Sequence, residues 1–230
     1  MLDDLIKDLD RLKNPVKSKL LQRFFKTGKG QYGEGDIFLG VMVPQQREVA
    51  KKYKDLGLDK VQTLLDSKIH EYRLVALLIL MTKYKRVDEK KKKQIVDFYL
   101  KNTKNINNWD LVDLSCRYIL GAYFFDKDRK IFYKLARSKK LWERRIAIIS
   151  TAWFIGKSRF GDTIKISEIL LRDKHDLIHK AVGWMLREVG KRDRKVLENF
   201  LDKYSKIMPR TCLRYAIEKL DEKKRKHYLS

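Results

Sequence analysis

Apolar residues along this chain recur three and four positions apart, and no segment alternates β-branched with polar residues. That spacing predicts helices throughout and no sheet. Residues 2–25 read as two helices, with Asn14 capping the second and Pro15 in its first turn, where proline is tolerated. Residues 26–43 break the pattern. Gly28, Gly30, Gly33, Gly35 and Gly40, five of the 11 glycines, gather there around the apolar stretch Ile37-Phe38-Leu39-Gly40-Val41. Pro44 then opens a helix over roughly 44–56. From residue 58 a shorter helix alternates with a longer, more apolar one: 58–66 with 70–84, 88–103 with 108–123, 129–138 with 142–156, 163–172 with 176–190, and 194–206 with 210–220.

The longer helices align at a constant step of 36 residues, with Arg73, Trp109, Arg145 and Ala181 as successive equivalents (73 to 109, 109 to 145, 145 to 181). A helix pair recurring at this length predicts an all-α, right-handed α-solenoid of HEAT-like repeats with a concave basic surface. One domain is expected over 1–230, with 222–230 as a basic, flexible tail. One position departs from the pattern. The equivalents of Asp113 are Leu77, Ile149 and Met185, so a carboxylate stands where the other repeats keep an apolar side chain. Partial burial of a carboxylate is costly unless it is paired or hydrogen-bonded, which marks Asp113 as functional. Asp113 lies in Asn107-Asn108-Trp109-Asp110-Leu111-Val112-Asp113, a helix start that places Trp109 and Asp113 on one face. Asp110 reads as a cap. Arg145 follows one repeat on, and Trp184 sits three residues after Ala181, so one wall is expected to carry Trp109, Asp113, Arg145 and Trp184.

Charge narrows the partner. Lys and Arg outnumber Asp and Glu by 54 to 30, a net charge of +24, which favours a polyanion: nucleic acid first, an anionic membrane surface second. The longest apolar run, Leu74 to Met81, is too short to span a bilayer. Cys116 and Cys212 sit in apolar helical contexts with no disulfide framework, and the N-terminus has no secretory pattern. A soluble, monomeric, cytoplasmic protein is the expectation, associated with the nucleoid when bound to DNA. Gly28-Lys29-Gly30-Gln31-Tyr32-Gly33 satisfies G-x-G-x-x-G but follows a helix and not a strand, so no dinucleotide site is expected. It reads instead as a flexible connection near nucleic acid, with Lys29 for a phosphate and Tyr32 for stacking. His175 and His179 stand four apart without a third ligand, and no metal or cofactor is expected. The runs Lys90–Lys93 and Lys223–Lys226 read as solvated or phosphate-contacting faces.

Asn108-Trp109-Asp110-Leu111-Val112-Asp113, Leu141-Trp142-Glu143-Arg144-Arg145-Ile146-Ala147-Ile148 and Lys180-Ala181-Val182-Gly183-Trp184-Met185-Leu186-Arg187-Glu188 together resemble the bacterial DNA alkylation repair glycosylases built from HEAT-like repeats, the AlkD type. So does Tyr32-Gly33-Glu34-Gly35-Asp36 leading to Phe38, Gly40, Val41, Pro44 and Arg47. The resemblance implies a monofunctional glycosylase excising N3- and N7-alkylated purines from duplex DNA, without flipping the base into a deep pocket. It places Trp109, Asp113 and Trp184 in the catalytic cleft and Arg145 against DNA; Lys29, Tyr32 and Arg73 are the further expected DNA contacts. Alkylated purines are cationic leaving groups, so the chemistry needs a carboxylate for the oxocarbenium-like sugar and little general acid. No lysine stands out for a lyase step. A non-catalytic DNA- or RNA-binding solenoid is the main competing reading, and a protein-interaction scaffold the third.

Overall fold

Local capping and apolar spacing determine where the helices begin and end. In the computed structural model, which describes all residues from Met1 to Ser230, α1 spans Leu2–Arg11 and α2 spans Pro15–Phe24. The Asn14 side chain accepts from the Lys17 amide at 3.0 Å, filling one of the donors that a helix start leaves open. There follow α3 (Val43–Lys52), α4 (Leu58–Leu65), α5 (His70–Tyr84), α6 (Glu89–Lys101) and α7 (Trp109–Cys116). Next come α8 (Ala122–Phe124), α9 (Lys130–Ala136), α10 (Leu141–Ser150), α11 (Ala152–Ile155), α12 (Gly161–Leu170) and α13 (Asp176–Gly190). The chain closes with α14 (Arg194–Tyr204), α15 (Arg210–Ile217) and α16 (Glu222–Leu229). The alternation of shorter and longer helices is the repeat expected from the sequence. The only β-type pairing is an isolated parallel bridge between Ile37 and Ile69. No helix is long and apolar enough to cross a membrane.

Two elements differ from expectation. The helix expected over 108–123 contains a π-helical turn at Arg117–Gly121 between α7 and α8. A Cβ on Gly121 would lie 2.4 Å from the Ser150 carbonyl oxygen and 2.8 Å from Trp153 Cβ, so the inserted turn lets two backbones approach closely. At the C-terminus the basic run is helical and not a flexible tail. Asp221 caps α16 by accepting from the Lys224 amide at 2.9 Å, Tyr228 donates to Asp202 at 2.8 Å, and Arg194 pairs with Asp221.

The chain divides into two compact units, Met1–Leu111 and Val112–Ser230. In the first, α3 and α4 pack on α5, whose residues Leu74 to Leu80 are all buried. In the second, α13 packs on α15, α14 and α10. Gly183 gives α13 its close approach to α15: a Cβ there would meet the Cys212 carbonyl oxygen at 2.4 Å. Cys116 and Cys212 are buried thiols, and burial pushes both up to about 12.

The glycine-rich segment is pinned, contrary to the expectation of a flexible connection. The carboxylate of Glu71, buried at the start of α5, accepts the amides of Leu39 at 3.0 Å, Gly40 at 2.9 Å and Val41 at 3.2 Å. Asn14 donates its amide to Leu39 O at 2.9 Å, and the Ser18 hydroxyl donates to Phe38 O at 2.6 Å. The bridge adds Ile37 N to Lys68 O at 3.0 Å and His70 N to Ile37 O at 2.8 Å. Gly40 makes the turn possible. Its φ of +85° is left-handed, and a Cβ would sit 2.2 Å from Asn14 O. Gly40→Ala is expected to destabilise the protein by roughly 2 kcal/mol or more, from strained φ and steric overlap together. Urea unfolding measures this, and a loss below about 0.5 kcal/mol, the range of an unconstrained surface change, would contradict the pinned geometry.

Candidate active site

The first turn of α7 is built on a buried charge network within the first unit. Asn108 is fully buried, and its Oδ1 accepts the Trp109 amide at 2.8 Å. Asp110 also supports the helix start, accepting the Leu111 amide through Oδ1 at 2.8 Å. Capping is only half of what Asp110 does. Its other oxygen takes a 2.7 Å hydrogen bond from His70 Nε2, and His70 Nδ1 reaches Asp36 Oδ2 at 3.2 Å. Arg73 Nη2 lies 2.7 Å from the same Asp36 oxygen, in contact but angled away from a linear hydrogen bond, and Asn108 Nδ2 donates to it at 3.4 Å. Two carboxylates thus share an imidazole and a guanidinium, all nearly out of water.

Electrostatics set the protonation state. Burial is the largest influence on His70 and pulls its pKa down. The charge of Asp110 and its hydrogen bond, with the hydrogen bond to Asp36, outweigh burial and raise His70 to about 9. Burial likewise pushes Asp36 up, and its bonds to His70 and Arg73 overcome that and hold it below the usual carboxylate range. His70 is therefore an imidazolium at neutral pH, donating from both nitrogens. Above it the rings form a packed stack. Phe38 lies 4.5 Å from His70 between centroids, Phe25 lies 4.9 Å from Phe38, and Trp109 lies 5.0 Å from Phe25. The indole Nε1 donates to the Tyr32 hydroxyl at 3.2 Å, which fixes the ring.

In the second unit, Asp113 is met by a guanidinium fork. Arg145 Nε donates to Asp113 Oδ1 at 2.8 Å and Nη2 to Oδ2 at 2.7 Å, while Nη1 donates to Leu177 O at 2.5 Å. This bidentate geometry is the strong form of the pair. The Asp113 side chain keeps 13% of its surface accessible, against 6% for Arg145. The carboxylate in the apolar register is thus compensated by a buried arginine, and its side chain is not wholly sealed from solvent.

The expected residues fall into different roles once placed. Trp109 and Asp113 are both on α7, four residues apart, and Trp184 is a half-buried residue of α13. Arg145 and Arg73 are each 5% exposed and face carboxylates, so neither presents a guanidinium to a phosphate. Lys29 is exposed. Tyr32 is half-buried, with its hydroxyl committed to Trp109 and to Phe24 O at 3.4 Å. His175 Nδ1 caps α13 by accepting from the Leu177 amide at 3.2 Å, and His179 Nε2 meets Asp173 O, so the pair serves the helix start. Sequence reasoning missed His70 and Asp36. Their partners lie 34 and 40 residues away, and the one available signal was a histidine opening the apolar helix α5 beside Glu71.

Fold and site define a class: an all-helical protein of repeated helix pairs carrying buried, cation-paired carboxylates around a tryptophan-bearing helix. Residues 5–220 match the family described as DNA alkylation repair enzyme, and the chain belongs to that family. Among solved structures it is similar to "Predicted DNA alkylation repair enzyme from Enterococcus faecalis", with a TM-score of 0.72 and 17% identity over 91% of this chain and 97% of that one. No curated protein matches the sequence.

The His70 network yields a signed pH dependence. Its pKa rises from 6.5 unfolded to about 9 folded, so its contribution is fully present below pH 6.5 and lost as pH climbs through 9. The shift corresponds to roughly 3 kcal/mol. Urea unfolding of wild type and His70→Gln should show a stability gap that narrows by about that amount between pH 6 and pH 10. A constant gap would mean that His70 is not held charged.

Proposed function

We propose that this protein is a monofunctional DNA glycosylase that hydrolyses the N-glycosidic bond of N3- and N7-alkylated purines in duplex DNA, acting as a cytoplasmic monomer. Membership of the DNA alkylation repair enzyme family supports it, as does the net charge of +24, which suits a polyanionic substrate. The observation that carries the reading is Asp113. A carboxylate replaces an apolar side chain in the repeat, and its arginine fork holds it in one orientation while part of the side chain stays accessible.

Cleavage of C1′–N leaves positive charge on the deoxyribose, and a fixed carboxylate stabilises that charge and aligns a water on C1′. Arg145 is a positioning residue here, holding Asp113 and not a phosphate. The indoles of Trp109 and Trp184 supply π faces that attract cationic character, worth roughly 0.5–2 kcal/mol per contact. Because the alkylated base leaves without protonation, the site needs no general acid. Exposed Lys29 in the first unit is suited to backbone phosphates. So is an open cavity of about 630 Å³ in the second unit, edged by Arg137, Arg172 and Lys174. The alternative is a non-catalytic DNA- or RNA-binding repeat protein. It is favoured by the completeness of the Asp113–Arg145 pair, which by itself is also a sound structural ion pair.

Release of 7-methylguanine and 3-methyladenine from methylated duplex DNA decides between them. Wild type should liberate free base without strand cleavage. Asp113→Asn, checked for folding by circular dichroism, should retain DNA binding and lose roughly 100- to 1,000-fold in excision. A wild-type protein that binds DNA with the steep salt dependence of phosphate contacts and releases no base would sink the glycosylase and leave the binding protein.

A further inference from the structure

The open cavity of the second unit lies between the turn that precedes α10 and the turn that precedes α13. Arg144 stitches its two sides together. Its Nη1 donates to Ser138 O and Lys139 O, both at 3.0 Å, and its Nε and Nη2 take the two oxygens of Asp173. Asp173 also accepts the His175 amide at 2.9 Å, so the one carboxylate lining the cavity is used up within its frame. Arg137, Arg172 and Lys174 remain. All three are exposed; Arg137 gives one donor to Tyr133 O at 3.0 Å, and none of them meets a carboxylate. Cationic side chains without a counter-charge, on a frame held by its own hydrogen bonds, suit an anion with several acceptor oxygens.

His175 adds direction. Its Nδ1 accepts the Leu177 amide at 3.2 Å, and its Nε2 has no partner in the protein. Burial is the largest influence on His175 and pulls it below its ordinary value; Arg144 and His179 act the same way, against Asp173 and Asp176. The ring is therefore neutral at pH 7, and because Nδ1 accepts, the proton sits on Nε2 as a donor at the cavity. Leu177 also links the cavity to Asp113. Its amide is held by His175, and its carbonyl takes Arg145 Nη1 at 2.5 Å while the rest of that guanidinium forks onto Asp113. A ligand on His175 is thus one residue's backbone away from the arginine that orients the carboxylate. We propose that this cavity seats one phosphodiester group of a DNA strand, with His175 Nε2 donating to a phosphate oxygen and Arg137, Arg172 and Lys174 supplying the charge. The phosphate follows from the cavity's own residues; its source in DNA rests on the function proposed above, which this seat deepens by adding a neutral, directional donor to a field of charge.

The test uses the full chain, a short undamaged duplex and, separately, inorganic phosphate, read by NMR of the histidine rings. Duplex should shift the His175 ring resonances saturably and raise its pKa, because a bound anion favours the imidazolium. His175→Asn keeps a side-chain acceptor for the Leu177 amide, so it should unfold at the wild-type urea concentration. It should nevertheless bind duplex about tenfold more weakly, the loss of one hydrogen bond to a charged acceptor. The double variant Arg137→Gln/Arg172→Gln changes only exposed side chains, and it should flatten the slope of log K against log salt by about 0.9, the value of one phosphate. The inference is overturned by a His175 ring that duplex leaves unmoved, by wild-type affinity in His175→Asn, or by an unchanged salt slope. Saturation by inorganic phosphate at concentrations no higher than those of duplex also overturns it and leaves a site for free anions. Should His175→Asn fail to fold, the salt slope of the double variant decides alone. Excision is not the readout. Duplex seated on His175 in a chain that releases no base keeps this site and removes the glycosylase, and base release with an unmoved His175 does the reverse.

Discussion

Two carboxylates, one imidazolium and one guanidinium, buried together, are the constraint on which the first unit depends. Asp36 comes from the glycine-rich segment, His70 and Arg73 from α5, and Asp110 from the first turn of α7. At neutral pH the charges cancel, which is what makes their burial tolerable. Removing any one member leaves a net charge where water does not reach, and truncating one partner of a buried pair costs about 3–5 kcal/mol. The network also fixes geometry. It gives one position to the segment, one to the start of α7, and hence one to Trp109, whose amide and indole are each hydrogen-bonded.

Asp113 follows the same logic in the second unit with fewer parts. Arg73 and Arg145 occupy the same register of the repeat, two steps of 36 residues apart, and both turn inward to a carboxylate from an earlier segment. The repeat thus places an arginine where it can hold an acid, and the acids differ in exposure: Asp36 has 3% of its side chain accessible, Asp113 13%. The two arginine-held carboxylates thus differ in how far water reaches their side chains.

Much of the fold was legible in the chain. The period of the apolar residues gave the helix pairs, the 36-residue step gave the repeat, and Asn14 with Pro15 marked the start of α2 because capping is a local chemistry. The departure at Asp113 was visible because a repeat supplies its own control. What stayed hidden was non-local. Nothing around His70 announces partners 34 and 40 residues distant, and Glu71 reads as an ordinary first-turn acid until the amides of Leu39, Gly40 and Val41 close on it. The burial of Arg73 and Arg145 against carboxylates was hidden for a related reason. High net charge makes every arginine look like a phosphate contact, whereas burial decides which of them are available.

The glycine-rich segment shows how composition misleads when the partner is remote. Glycine clusters signal backbone freedom, and that freedom is spent here on a fixed shape: a left-handed residue at Gly40, amides converging on a buried carboxylate, and a bridge to Ile69. Tyr32, expected to offer its ring for stacking, has its hydroxyl oxygen accepting the indole N–H of Trp109. That bond, with the stack on Phe25, holds the indole in one position. Pinning therefore reaches beyond the segment itself, because the ring that carries the Tyr32 hydroxyl holds the indole at the first residue of α7.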